Sequence, residues 1–284
     1  MKLRCLLPSL LTLSLLGAEP KKPDYDAQYV LGSDSQVKPK VPKGEVREFD
    51  MKDSKAFPGY GRKWALYIPK QYDGKKPAAL MVFQDGLGYV APTGPWRVPT
   101  VFDNLIASGK MPVTIGLFIN PGFIPDPKNP SGKDKKGKPL GKSNRSFEYD
   151  NVTTAYVSFL INEMIPLAEA QGLNISKEAS VFTTIGSFTN IRGVISKGTE
   201  IGGNVYPEWV LKEPKKDIRV YQQDGANDLT NEFGVWPEAN KKLAAALDEK
   251  GYDHVFILGE GTHNPKHGAM IFPEAMKWLW RDVR

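Results

Sequence analysis

The sequence predicts an α/β protein in which helices flank a mostly parallel sheet. Short β-branched or aromatic runs end in Gly- and Asp-rich turns, and segments with a helical period separate them. The clearest runs are 218–221, which leads to Asp-Gly-Ala-Asn-Asp at 224–228, and 255–258, which leads to Gly-Glu-Gly-Thr-His at 259–263. Open α/β sheets place their chemistry at the carboxyl ends of parallel strands, so these two turns are the first place to look for a site.

The remaining elements follow from the same patterns. The continuously apolar run 78–83 is typical of a strand covered on both faces and is predicted to be the middle of the sheet. With a helix and the strand 113–119 after it, this run indicates a parallel crossover. The predicted strands lie at 46–51, 63–68, 78–83, 113–119, 180–185, 218–221 and 255–258. The predicted helices lie around 101–106, at 152–171, around Trp209, at 236–250 and at 273–280.

Length and composition are those of one globular domain. The chain has 284 residues, of which 40% are hydrophobic and 25% charged. Residues 1–18 combine Lys2 and Arg4 with a short apolar run and small residues, as in a signal peptide, and predict a secreted or periplasmic protein. Residues 19–43 are predicted to be an extended N-terminal arm, and 44–284 the folded domain. Cys5 is the single cysteine and lies in the leader, so no disulfide is expected.

The net charge of +6 owes much to a basic loop at 128–145. A solvated loop explains this run, although a basic patch also attracts acidic polysaccharides or nucleic acids. No aromatic residue interleaves it, so bases would have no stacking platform and no nucleic-acid partner is expected. The apolar leader is too short to span a bilayer, so no membrane association is expected after its removal.

Two side chains stand out at the predicted carboxyl edge of the sheet. Asp228 follows one strand and His263 follows the next, and a carboxylate so placed can orient an imidazole. Asp224 competes for the acid role, but the turn carries Asp228 further past the strand end. His267 lies four residues after His263 and invites a zinc reading. Pro265 and Gly268 argue against a helix there, so we expect no metal, and no cofactor is indicated.

Four motifs in their order resemble the esterase family of α/β-hydrolases, which includes enterochelin, feruloyl and acetyl-xylan esterases. The motifs are Asn-Arg-Ser-Phe-Glu-Tyr at 144–149, Ile-Gly-Ser-Phe at 185–188, and the two turns at 224–228 and 259–263. The resemblance runs from about Gly44 to Arg281 and implies hydrolysis of carboxylic esters, often linked to sugars or phenolics. It also implies that Asp228 is the acid and His263 the base of a Ser-His-Asp triad.

The same resemblance implies a role for the loop after strand 78–83. In the family this loop provides an oxyanion-hole amide, so Gly86 and Leu87 are the expected donors. Arg145, Glu148 and Tyr89 are expected to contact the substrate, although Arg145 could instead pair with Glu148.

The sequence departs from the family where the nucleophile should be. No G-x-S-x-G occurs, and only residues 177–184 separate two segments between which the family has a further strand and helix, a unit of roughly 30 residues. Ser187 is a stand-in nucleophile, with a structural hydroxyl as the alternative. Three readings stay open: an esterase with an undetected serine, an inactive relative that binds a carbohydrate or another small ligand, and a chain that has lost a core segment.

Overall fold

The computed structural model describes residues 23–151, 153–177, 205–231 and 234–282, and the backbone of 181–183. Within these residues the strands are β1 (Glu45–Met51), β2 (Arg62–Ile68), β3 (Ala79–Gln84), β4 (Thr114–Ile119), β5 (Phe123–Pro125), β6 (Gly141–Ser143), β7 (Val181–Thr183), β8 (Ile218–Asn227), β9 (Thr230–Asn231), β10 (Gly234–Val235) and β11 (Asp253–Thr262). The helices are a 3-10 turn at Ser33–Ser35, α1 (Leu87–Val90), α2 (Val98–Ala107), α3 (Arg145–Asp150), α4 (Ala155–Phe159), a π segment (Leu160–Met164), α5 (Ile165–Glu169), α6 (Tyr206–Lys212), α7 (Trp236–Glu249) and α8 (Lys266–Leu279).

Two sheets form the framework, and both have the α/β character that the sequence predicts. The first has the order β1-β2-β4-β3, in which β1, β2 and β4 are antiparallel and β3 is parallel to β4. The second has the order β11-β8-β7 and is parallel throughout. The predicted crossover from β3 through α2 to β4 is confirmed. The sheets as a whole are mixed.

The predicted position of β3 is wrong for the described residues. Among them β3 pairs along its length only with β4 and lies at the edge of its sheet, apart from one bridge between Ala78 and Ile175. Its first four residues are partly exposed, whereas every residue of β4 is buried. The continuous apolar run reflects packing on both faces, which does not require a strand on both edges.

Side chains that alternate along β2 and β4 contribute to two cores, one on each face of the first sheet. One face of the first sheet packs against α2 and α8, and the other against the helical stretch 155–169 and the segment that follows it. The first core contains Ala65, Tyr67, Phe118, Val101, Phe102, Leu105, Phe272 and Met276. The second contains Trp64, Leu66, Ile115, Leu117, Ile119, Tyr156, Phe159 and Met164. This is the layered arrangement of an α/β protein.

The predicted helix 152–171 is present at 155–169 but contains a π turn. Pro166 has no backbone N–H, so the regular i to i−4 ladder is interrupted at that point. The chain accommodates this by a wider turn, in which the Ile165 N–H donates to the carbonyl of Leu160.

The expectation that no helix surrounds His267 is wrong. α8 begins at Lys266, directly after Pro265, and continues through Gly268 and Pro273. Pro265 is at the start of the helix, where its missing N–H costs nothing, so it marks an N-terminus rather than a break. None of the helices in the described part of the chain is long and apolar enough to cross a membrane.

Candidate active site

Asp228 and His263 each lie directly after the last residue of a parallel strand. β8 ends at Asn227 and β11 ends at Thr262, and these two residues are partners in the register of the sheet. The residues that follow the two strands, Asp228 and His263, are therefore neighbours. His263 Nδ1 lies 2.7 Å from Asp228 Oδ1. The structure brings together the two residues that the sequence singles out, and their catalytic role stays a prediction.

A β-bulge in β11 produces this alignment. Gly259 is the partner of Gly225, but Thr262 is the partner of Asn227, so β11 has one residue more than β8 over this stretch. If the offset between Gly225 and Gly259 continued, His263 would lie beside Leu229 instead. Bulges often re-aim a side chain next to an active site, and this one places the imidazole beside a carboxylate.

The hydrogen bond defines the tautomer of His263. A carboxylate accepts hydrogen bonds only, so Nδ1 carries the proton and donates it, and Nε2 is the basic nitrogen of the neutral ring. The side chain of His263 is 50% exposed and that of Asp228 is 9% exposed. Trp236 meets the imidazole edge-on, with 6.2 Å between ring centroids. A half-exposed base held by a partly buried carboxylate has the geometry needed to accept a proton from a nucleophile.

Asp228 also interacts with a second carboxyl group, that of Asp224. Asp224 is buried, and its carboxylate oxygens accept hydrogen bonds from Asn240 Nδ2 at 2.7 Å and from the Gly225 amide at 2.8 Å. Burial, together with a hydrogen bond to Asp228, raises the pKa of Asp224 to about 7. Burial alone would also raise the pKa of Asp228, but hydrogen bonds from His263 and Asp224 outweigh it and lower that pKa. Asp224 is therefore the protonated member of the pair and Asp228 the anion.

This pair predicts that stability depends on pH in a particular direction. The pKa of Asp224 is raised above its ordinary value of 3.8, so the folded chain keeps a proton that the unfolded chain releases. The contribution is complete below pH 3.8 and is lost as the pH rises to about 7. We expect Asp224→Asn, which is neutral at every pH, to reduce the fall in Tm between pH 5 and pH 8. An equal fall in both proteins, measured by thermal unfolding, would contradict this assignment.

The expected oxyanion donors are engaged in internal hydrogen bonds. The Gly86 N–H donates to the carbonyl of Ile119 at 3.1 Å, and the Leu87 N–H donates to Asn120 Oδ1 at 3.0 Å. An oxyanion hole needs donors aimed at the place where negative charge develops. In this structure neither amide is available for that purpose, so both would have to exchange these partners.

Arg145 forms an ion pair with Asp85 and not with Glu148. Arg145 Nε and Nη2 donate to the Asp85 carboxylate at 2.9 and 2.6 Å, and the two side chains are 43% and 40% exposed. Asp85 has a φ of 55°, which non-glycine residues rarely adopt. The pair lies at the carboxyl end of β3, where an anionic group of a ligand would compete with Asp85 for the guanidinium.

Glu148 lies inside the fold, and its contact with substrate stays a prediction. Its side chain is fully buried and accepts hydrogen bonds from Arg62 at 2.8 and 3.1 Å. The Gly122 amide and Asn144 Nδ2 each donate to it at 3.0 Å. All of these partners are internal, so Glu148 is a structural residue that ties α3 to β2.

Tyr89 and Ser187 complete the predicted set. The ring of Tyr89 packs against Phe83 and Trp96, with centroids 5.4 and 5.0 Å away, and burial raises the pKa of its hydroxyl. A contact of Tyr89 with substrate stays a prediction. Ser187 lies outside the described residues.

The sequence interpretation overlooked Asn240, which holds Asp224. A signal for it exists, because Asn240 shares one face of α7 with Leu243, Ala244 and Leu247 at helical spacing. A single amide on an apolar helix face is costly to bury unless it has a partner. Its partner is the buried carboxyl group of Asp224.

Several solved structures have the same overall fold. The enterobactin esterase of Shigella flexneri, solved in the presence of enterobactin, matches with a TM-score of 0.60 and 15% identity over 93% of this chain. A ferulic acid esterase matches with a TM-score of 0.55 and 13% identity over 84% of this chain and 98% of its own. The ferulic acid esterase of Anaeromyces mucronatus matches with a TM-score of 0.52 and 13% identity over 86% of this chain and 93% of its own. The chain has the α/β-hydrolase fold of these esterases.

The resemblance of fold expected from the sequence motifs is thereby confirmed. The chain spans 64% of the length of the Shigella enterobactin esterase. No family model and no curated protein matches the sequence. Identities this low establish the α/β-hydrolase fold alone, so the reaction has to be argued from the site.

Proposed function

We propose that the protein is an ester hydrolase in which His263 is the general base and Asp228 orients it. The observation that supports this most directly is the 2.7 Å hydrogen bond between His263 Nδ1 and the carboxylate of Asp228, at the carboxyl ends of adjacent parallel strands. In a triad, the histidine takes the proton of the nucleophile through Nε2 and later gives it to the leaving group. Asp228, anionic beside a protonated Asp224, stabilises the imidazolium formed in between.

The substrate class in this proposal is a carboxylic ester, attached to a sugar or a phenolic group. The proteins of similar fold include an enterobactin esterase and a ferulic acid esterase solved with ferulic acid. The partly exposed Arg145 would bind an anionic group of such a ligand, in competition with Asp85.

The nucleophile has to be a residue outside a G-x-S-x-G motif, because the sequence contains none. We propose Ser187, because Gly186-Ser187 follows β7 closely in the sequence. The segment that would normally present the serine is, in this proposal, missing from the chain. Among the described residues, β3 and β7 are both edge strands of their sheets, which supports a gap of this kind. We further propose that residues 1–18 direct the chain to the periplasm or the exterior.

A second candidate function is ligand binding without catalysis. Two observations favour it: the sequence has no G-x-S-x-G, and the amides of Gly86 and Leu87 already donate to internal acceptors. An inactive protein of this kind would bind a carbohydrate or another small ligand at the carboxyl ends of the strands.

Hydrolysis of p-nitrophenyl acetate distinguishes the two functions. We expect the unaltered protein to release p-nitrophenol, and His263→Ala, Asp228→Asn and Ser187→Ala each to lose that activity. His254→Gln is the matched histidine control, because His254 bonds to Asp248, away from Asp228. Activity that survives Ser187→Ala but not His263→Ala would assign the attack to another nucleophile.

Absence of activity in a well-folded protein would overturn the esterase proposal. Binding would then be tested by calorimetry with ferulic acid, since a protein of similar fold has been solved with that ligand. Heat of binding that disappears when Arg145 is substituted would support ligand binding without catalysis.

A further inference from the structure

The N-terminal arm lies against the bulge of β11. Asp26 Oδ1 accepts the Thr262 N–H at 3.0 Å, and Asp26 Oδ2 accepts the Thr262 hydroxyl at 2.6 Å. The Tyr29 hydroxyl accepts the Gly261 N–H at 3.1 Å. The arm therefore binds the two residues that immediately precede His263.

These contacts supply acceptors that the sheet does not. A bulge disrupts the ladder locally and leaves the extra residue without its regular partner. An unpaired backbone N–H away from water costs roughly 1–3 kcal/mol, so a bulge needs acceptors from elsewhere. For Gly261 and Thr262 those acceptors are two side chains of the arm.

The fit between arm and bulge is close. A Cβ at Gly261 would lie 2.9 Å from Asp26 Oδ1, and one at Gly259 would lie 2.5 Å from the Tyr29 hydroxyl. The ring of Tyr29 stacks on His267, with 4.1 Å between centroids and 10° between planes. His267 Nδ1 in turn lies 3.0 Å from Gln223 Nε2 on β8. Tyr29 thus connects the bulge to α8 and, through His267, to the strand that ends beside Asp228.

Asp26 meets the bulge as an anion. Burial alone would raise its pKa, but hydrogen bonds from Thr262 and Asn264 and the nearby charge of Lys266 outweigh it and lower the pKa. Charged acceptors form stronger hydrogen bonds than neutral ones, so Asp26 is the stronger of the two contacts.

The arm is also anchored away from the bulge. Asp34 forms an ion pair with Lys277 of α8 at 2.8 Å. Asn104 Nδ2 of α2 donates to the carbonyls of Asp34 and Gln36 at 2.8 and 2.9 Å. Two helices therefore hold the arm independently of its contact with Gly261 and Thr262.

We propose that Asp26 and Tyr29 are positioning residues, which hold the bulge of β11 so that His263 stays in register with Asp228. This inference rests on the proposed function of the His263 and Asp228 pair. Both residues accept hydrogen bonds from the backbone amides of Gly261 and Thr262, so they act through the backbone that precedes His263. The bulge supplies the extra residue that brings His263 beside Asp228, and the arm holds the bulge in place.

The test is the tautomer of His263, read from the ring ¹⁵N shifts of labelled protein at a pH where the ring is neutral. The chain has three histidines, and His263→Gln identifies the signal. We expect the Nδ1–H form in the unaltered protein. In Asp26→Ala we expect the ratio of the Nδ1–H form to the Nε2–H form to fall about tenfold, equivalent to one net hydrogen bond. Asp26→Asn keeps an acceptor for the Thr262 amide and is expected to restore most of the ratio.

Asp34→Asn is the matched control, because it weakens the arm at α8 and not at the bulge. It is expected to lower Tm and to leave the ratio unchanged. An unchanged ratio in folded Asp26→Ala would overturn the positioning role while leaving the pair intact. An unaltered protein without the Nδ1–H form would overturn the pair, and the positioning role with it.

Discussion

Glu148→Gln is expected to lower the free energy of unfolding by about 3–5 kcal/mol, because it leaves the guanidinium of Arg62 buried without a counter-charge. Both side chains are fully buried, and their two hydrogen bonds connect β2 to α3. Arg62 also lies over the ring of Phe159, 4.2 Å from its centroid, so it has no route to water. Guanidinium denaturation measures the loss.

The adjacent ion pair provides the control. Lys63 and Asp50 lie 3.1 Å apart on β2 and β1, and their side chains are 62% and 70% exposed. Asp50→Asn is expected to cost at most about 1 kcal/mol, because solvent screens the pair. Equal losses in Glu148→Gln and Asp50→Asn would show that burial does not govern the Arg62 pair.

Gly225→Ala is expected to destabilise the fold by roughly 1–3 kcal/mol and to separate His263 from Asp228. A Cβ at Gly225 would lie 2.1 Å from the carbonyl oxygen of Gly261, and that oxygen belongs to a backbone held by the arm. The bulge must therefore move, and His263 follows two residues later. Thermal unfolding measures the first effect, and the ring ¹⁵N shifts of His263 measure the second.

Gly88→Ala is the glycine control for this experiment. No heavy atom lies within 4 Å of a Cβ at Gly88. The residue is in α1, where alanine is the better helix former by up to about 1 kcal/mol. A Gly225→Ala protein as stable as Gly88→Ala, with its histidine signal unchanged, would mean that the bulge can shift without cost.

The strands were predictable because their apolar residues have a clear period, and their ends were not. The runs 218–221 and 255–258 continue as strands through Asn227 and Thr262, the second with a bulge, across residues that the sequence predicts to be turns. Gly and Asp disfavour strands by propensity, but pairing in a parallel sheet outweighs that preference. Within the described residues β3 is an edge strand and not a central one, because a one-dimensional pattern reports which faces are covered and not which edges are paired.

The positions of Asp228 and His263 were predictable because both residues follow strands that the sequence reveals. The bulge that aligns them was not predictable, because it depends on the pairing of two strands whose ends lie 35 positions apart in the sequence. The partners of Glu148 and Arg145 were not predictable for a related reason. Their partners, Arg62 and Asp85, are distant in sequence, and only the assembled sheet decides which carboxylate meets which guanidinium.

The contact between arm and bulge also bears on the order in which the molecule is built. Asp26 and Thr262 are 236 positions apart, so their hydrogen bond can form only when nearly all of the described chain has been synthesised. Contacts of such long range form late in folding because closing a long loop is entropically costly. We therefore expect His263 to reach its final place late in folding, and a nascent chain on the ribosome would carry the arm before Thr262 has been synthesised.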